Sequence, residues 1–298
     1  MKLDEAFPLQ LESLSALKVK GLQAAVVGGT GGVGRTIARA LASCGAKVTV
    51  VGQTFRDRDV AGLDFIHADL SSMKEAQRVA KLLPAEKLDL LVLTTGVMAG
   101  PQREVTAEGI ENDMAISYLS RLVILQEVAP RIGQGRPAGS KRPRIFIMGY
   151  PGAGMEGTLG DLNADRAYNN WTVHRNTVVG NEVLVLDGVE RYPGVDIYGL
   201  NPGFVRTNIR AKMFGRRTFL KSVMETLTKP MTLTPEAYAE RIVPLLVAPP
   251  LESRSGAMFN NKAQAILPTQ KLKVDAAYRD EFLSQSEAIL AQRAGLKV

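Results

Sequence analysis

The sequence predicts an α/β protein built on a doubly wound parallel sheet, and three observations carry that prediction. Short apolar runs, mostly β-branched, recur from about residue 20 to residue 260. Longer stretches of helical period separate them, and a glycine-rich turn joins the first run to the first helical stretch. Runs that are apolar on both faces suit strands covered on both sides, as in a parallel sheet whose crossovers are helices.

The first candidate strand is LQAAVV (22–27), and a helix is expected over 33–43. KVTVV (47–51) and DFIHA (64–68) supply the second and third strands, followed by helical period at 71–83. LDLLVLT (88–94) is the fourth, with a helix expected over 110–132. RIFIM (144–148) and VDIYGL (195–200) flank another helical stretch at 178–192. Two polar, turn-rich segments, 133–143 and 149–163, lie beside the fifth strand, at the edge where open α/β sheets bind ligands. No composition shift, linker or repeat divides the chain, so one domain over 1–298 with about seven strands is expected, preceded by an N-terminal extension at 1–20.

Composition narrows the function. The charge is 37 − 30 = +7, with the basic residues dispersed, which argues against a nucleic-acid partner and suits an anionic small molecule. The single Cys44 excludes an intramolecular disulfide and any cysteine-based metal site, and it reads as a small buried hydrophobe. No apolar run approaches the roughly 20 residues of a membrane span, and the first residues do not read as a signal peptide. A cytoplasmic protein with no membrane partner is expected.

The turn VVGGTGGVGRTIARAL carries the chemistry of a dinucleotide site. Glycines there let the backbone approach a pyrophosphate, while the helix N-terminus offers N–H groups and a favourable dipole. Two registers fit: Gly29, Gly31 and Gly34 as G-x-G-x-x-G, or Gly28, Gly32 and Gly34 as G-x-x-x-G-x-G, with Thr30 and Val33 between them. The second strand ends VVGQTFRDR, where an acidic residue would favour NAD and arginine a 2′-phosphate. Gln53 stands at the expected position, with Arg56 and Arg58 beyond it and Arg35 at the helix start, so NADP is favoured and NAD remains possible. The alternative for Arg56 and Arg58 is a solvated loop paired with Asp57 and Asp59.

The second register, together with motifs further along the chain, resembles the short-chain dehydrogenase/reductase superfamily, in particular the branch similar to retinol dehydrogenases. HADLSS places Asp69, followed by Leu70, where the family has an Asp that contacts the adenine. LVLTTGVMAGP puts Thr94, Thr95 and Gly96 in place of Asn-Ala-Gly, and TAEGIENDMAISYLSR is similar to the family's T-x-D-G-x-E helix. NPGFVRTNI matches P-G-x-V-x-T through Pro202, Gly203, Val205 and Thr207, the Thr that bonds the nicotinamide carboxamide in the family. SGAMF (255–259) looks like a late family strand. The resemblance implies a Rossmann-like fold, hydride transfer between a nicotinamide cofactor and a small carbonyl or alcohol, and a homo-oligomer, dimer or tetramer.

It also implies a reaction centre that has been rewritten. In the family a Tyr moves the proton, a Lys four residues later lowers its pKa and holds the ribose, a Ser orients the substrate oxygen and an Asn completes a relay. Here RIFIMGY puts Tyr150 at the Ser position, and ISYLS puts Ser117 at the Asn position. Counting back from Asn181 puts His174 for the Tyr and Val178 for the Lys, with Tyr168 the alternative if the loop is longer. Histidine ionises near ~6.5 and tyrosine near ~10, so replacing Tyr by His removes one reason for the Lys. Asn176 and Asn181 are the candidates to hold a ribose hydroxyl instead. Two readings are open: an oxidoreductase with His174 as general acid/base, or a silent NADP-binding protein in which His174 merely satisfies a helix start. The segment 209–234, basic and Met-rich, reads as a lid over the substrate or as a surface helix.

Overall fold

The computed structural model describes residues 1–205 and 232–296. Its frame is an eight-stranded sheet in the order β3-β2-β1-β4-β5-β6-β7-β8. The strands are β1 (Gln23–Val27), β2 (Lys47–Gly52), β3 (Leu63–His67), β4 (Leu90–Leu93), β5 (Arg144–Met148), β6 (Asp196–Leu200), β7 (Met258–Phe259) and β8 (Ala265–Ile266). Every pairing is parallel except β7 with β8. The sequence predicts about seven strands, all parallel; the eighth is an antiparallel strand of two residues, too short to leave a periodic signal. The N-terminal extension adds to the same edge, where Leu3 bridges Ile266.

Alternate residues of each strand enter two separate cores. Ala25, Val27, Leu91, Leu93, Ile145 and Ile147 face one side, and Ala24, Val26, Leu90, Val92, Phe146 and Met148 face the other. Burial on both faces is the reason these strands read as continuous apolar runs. Helices α1 (Gly32–Ser43) and α6 (Pro235–Val247) cover the second core. The first is covered by α2 (Met73–Leu82), α4 (Ser120–Val128), α5 (Asn170–Arg191) and α7 (Ala276–Ile289).

Two helices depart from the sequence expectation. The stretch expected as one helix over 110–132 is instead α3 (Asn112–Met114), a π-helical turn (Ala115–Leu119) and α4. Helix α5 begins at Asn170, well before the apolar period at 178, because Asn169 caps it by accepting hydrogen bonds from Trp171 N and Thr172 N. His174 therefore lies in the second turn of a long helix. The expected lid at 209–234 falls outside the described residues except for 232–234, where Leu233 N donates to Phe204 O at 3.0 Å.

The π-helical turn packs on α5 at one tight point. Tyr118 is fully buried, its hydroxyl donates to Ser286 Oγ at 2.9 Å, and a Cβ on Gly180 would stand 2.5 Å from its ring. A pinned ring cannot step aside, so overpacking of about 1–3 kcal/mol should outweigh the ~1 kcal/mol that alanine gains in helix propensity. Gly180→Ala is expected to lower the denaturation midpoint in urea with an unchanged slope.

Candidate active site

The chain runs outward from β1 to β2 and β3, then crosses to β4 on the other side of β1. That reversal opens a crevice at the carboxyl ends of the strands, where α/β sheets bind ligands. The glycine turn lines it. Gly28 takes φ +85°, and a Cβ there would meet Thr95 N at 2.6 Å. A Cβ on Gly34 would meet Thr94 Oγ1 at 2.3 Å and Gly28 O at 2.4 Å. Gly31, by contrast, faces open space. Gly34 belongs to both registers and Gly29 is also tight, a Cβ there meeting Val26 O at 2.9 Å, but the open space at Gly31 and the left-handed turns at Gly28 and Gly32 (φ +49°) fit the register Gly28, Gly32, Gly34 better.

The crevice fits a dinucleotide. The first N–H groups of α1 lack intrahelical acceptors, and Gly31 as N-cap brings no side chain to them, which leaves donors for a pyrophosphate. Thr95 Oγ1 is buried with no hydrogen-bond partner among the described residues. Val33 and Leu70 are buried supports, Thr95 and Gly96 are half-buried at the rim, and Gly203 turns at φ +61° beside Pro202. Val205 bridges Leu233, and Thr207 lies outside the described residues.

Past β2 the ion pairs differ from the expected loop pairing. Asp57 turns away from Arg56 and Arg58 to accept both Arg35 Nε and Nη2 at 2.7 Å, and Arg39 Nη1 at 2.6 Å. Those bonds, from Arg35 chiefly, outweigh burial and hold its carboxyl at about 2. Arg35 is thereby engaged, while Arg56 Nη1 donates to Thr30 O at 3.3 Å, on the glycine turn. Burial opposes ionisation of Asp69, yet hydrogen bonds from Ser71 and from Gln53 prevail and lower its carboxyl.

At the reaction end the structure unites two of the expected residues through one that the sequence reading does not single out. Asp113, fully buried in α3, accepts from His174 Nδ1 at 3.0 Å, from Ser117 Oγ at 2.5 Å and from Ala99 N at 3.2 Å. An ionised carboxylate only accepts, so Nδ1 carries the proton and Nε2 is left for a ligand. Ser117 sits within the π-helical turn and accepts Val97 N at 3.0 Å. Its hydroxyl ties this turn to the loop after β4.

The remaining candidates stay apart from this network. Tyr168 donates its hydroxyl to Gly100 O at 2.6 Å, and burial, then the charges of Glu111, Asp113 and Glu104, pushes it up to about 12. That is the reverse of what a tyrosine acid needs. Tyr150 stands half-buried after β5, and its hydroxyl makes no hydrogen bond among the described residues. Val178 is 5% exposed and offers no polar group. Asn176 is used by Thr158 N and Leu162 O. Asn181 is used by Arg121 Nη1, Ser117 O and Thr177 O, so neither asparagine is left over for a ribose.

Sequence reasoning missed Asp113 and Arg121. The signal was available: with Glu111, both are charges inside the largely apolar stretch IENDMAISYLSRLVIL. Buried charges are retained only when paired or fully hydrogen-bonded.

Known proteins resemble this chain in sequence and in fold. The short chain dehydrogenase family model matches residues 23–140. An uncharacterized oxidoreductase of Saccharomyces cerevisiae is 42% identical over 293 residues, 97% of this chain and 94% of that one. Retinol dehydrogenase 12 of Bos taurus is 25% identical over 257 residues, 79% of this chain and 76% of that one. The solved NADP complex of Pseudomonas aeruginosa RhlG shares the fold, with a TM-score of 0.59 over 82% of this chain and 95% of that chain at 20% identity. The chain belongs to the short-chain dehydrogenase/reductase family. It is accordingly an NAD(P)-binding oxidoreductase acting on CH–OH or C=O groups. No helix among the described residues is long and apolar enough to cross a membrane.

Glu111, which caps α3 by accepting Met114 N at 2.9 Å, gives a test of the site's dryness. Burial, and then the charge of Asp113, pushes its carboxyl up to about 7. A raised folded-state pKa means stability that is full below the ordinary carboxylate value and is lost as pH rises through about 7. Glu111→Gln keeps the cap and removes the titration. The variant is expected to escape a loss of about 2–3 kcal/mol that the parent suffers between mildly acidic and neutral pH, measured by urea unfolding across that range.

Proposed function

We propose that the protein is an NADP-dependent oxidoreductase of small carbonyl or alcohol substrates in which His174, held by Asp113, is the general acid/base. The observation that carries this reading is the 3.0 Å hydrogen bond between His174 Nδ1 and the fully buried Asp113 carboxylate. It fixes the ring and its tautomer, favours the imidazolium after proton uptake, and leaves Nε2 to meet a substrate oxygen. His174 remains 30% exposed, so a ligand can reach it. The nicotinamide dinucleotide would supply or take up the hydride. Gly28, Gly32 and Gly34 would hold its pyrophosphate, Asp69 and Leu70 its adenine, and Thr95, Gly96, Pro202, Gly203, Val205 and Thr207 its nicotinamide end.

The preference for NADP rests on the end of β2. Gln53 stands where a carboxylate would repel a 2′-phosphate, the next acid along the chain, Asp57, is paired with two arginines, and Arg56 donates to the glycine turn. Arg56→Ala is expected to weaken NADPH about tenfold, ~1.4 kcal/mol, while changing NADH little, as measured by fluorescence titration.

A second reading, a silent NADP-binding protein, is favoured by buried Val178 at the place of the ribose-holding lysine. Turnover separates the two. NADPH oxidation across a panel of small aldehydes and ketones is expected to be substrate-dependent, and His174→Gln or Asp113→Asn should slow it by about 10²–10⁴ with cofactor affinity kept. NADPH that binds but is not consumed by any carbonyl, or His174→Gln at full rate, would overturn the catalytic role.

A further inference from the structure

Arg121 is the charge the mechanism has not used. It lies in α4, is 3% exposed, and its two Nη groups donate to Thr95 O after β4 and Met148 O at the end of β5. Nη1 also donates to Asn181 Oδ1 at 2.8 Å. Asn181 Nδ2 donates to Ser117 O at 2.8 Å, and the Ser117 hydroxyl donates to Asp113. The guanidinium therefore sits under the carboxyl ends of two adjacent strands, joined through two side chains to the carboxylate that holds His174. Carbonyls and an amide accept from it, but none of these neutral partners cancels its charge.

We propose that Arg121 takes over the electrostatic part of the missing lysine: it balances buried Asp113 from beneath the strand ends and so sets the proton affinity of His174 without touching a reactant. It is a positioning residue, and the proposal rests on the reading of His174 as the acid/base. A dry carboxylate beside a dry acid favours protonation, and a nearby fixed cation opposes it. Burial pushes the Arg121 guanidinium down to about 9, and Asp113 is the charge that pulls it back up. The other charged or titratable groups around the pair are Glu111 on the α3 cap, Arg103 and Glu104 in the preceding loop, and Tyr168 before α5. The negative groups among them raise the proton affinity of the pair. Arg121 acts in the opposite sense from inside the fold.

Removing a cation raises the proton affinity of both Asp113 and His174, whichever of the two holds the proton. In general, a unit charge about 10 Å away, screened by an effective dielectric of about 20, shifts a proton affinity by about one pH unit. The chain has two histidines, His67 and His174, so ring signals can be titrated directly by NMR and assigned with His174→Gln. In Arg121→Met the His174 midpoint is expected to rise by about one unit, Arg121→Lys should stay within about 0.3 unit of the parent, and His67 should not move. An unmoved His174 midpoint in the folded methionine variant would overturn the proposal. If that variant does not fold, Arg121→Gln replaces it. If neither neutral variant folds, Arg121→Met combined with Asp113→Asn decides: folding restored by removing both charges supports the proposed balance, and a double variant that still does not fold overturns it. The titration needs no turnover. A shifted midpoint in a protein that reduces no carbonyl would sink the catalytic reading and leave this electrostatic one standing; the converse result would do the opposite.

Discussion

Asp113 is a carboxylate without access to water, and each of its hydrogen bonds ties a different part of the fold to one point. Ala99 N brings the loop after β4, Ser117 Oγ brings the π-helical turn, and His174 Nδ1 brings α5. A buried carboxylate that lost these donors would bear its full desolvation penalty, so the three segments are held in register by the cost of separating them. The π-helical turn answers the same demand. It widens the helix where Ser117 must reach both the carboxylate and Val97 N, and such turns often mark functional sites.

Around that point the charges are arranged in two layers. Glu111 and Asp113 stand close together at the start of one helix, and burial first, then the charge of Asp113, keeps Glu111 from ionising readily. Arg121 lies deeper, bound to the ends of β4 and β5. At the other end of the crevice Asp57 gathers Arg35 and Arg39, which leaves Arg56 on the glycine turn. The end beside the glycine turn thus presents backbone N–H groups and a surface cation. The end at Asp113 presents a buried acid and a half-buried imidazole.

The sheet, its two-sided burial and the glycine turn were legible because each rests on local, periodic signals. Apolar runs such as AAVV and LLVL meet core on both faces, and the left-handed turns at Gly28 and Gly32 fit one of the two glycine registers. The antiparallel β8 was not legible, since two residues carry no period. Neither was the early start of α5, where the Asn169 cap outweighs a polar first turn. The pairing of His174 was hidden for a different reason. Asp113 is 61 residues away along the chain, and nothing in local spacing joins them. What the sequence did offer was charges, Asp113 and Arg121 with Glu111, in a largely apolar stretch.

The central claim is that His174, oriented by Asp113, faces the reacting carbon. The most direct measurement is a crystal structure of the protein with NADPH bound. The His174 ring is expected within ~7 Å of the nicotinamide C4, with Nε2 toward the substrate space and Nδ1 on Asp113, so that a proton can pass directly or through one water. A nicotinamide bound elsewhere, or a His174 ring turned from it and beyond that distance, would contradict the claim.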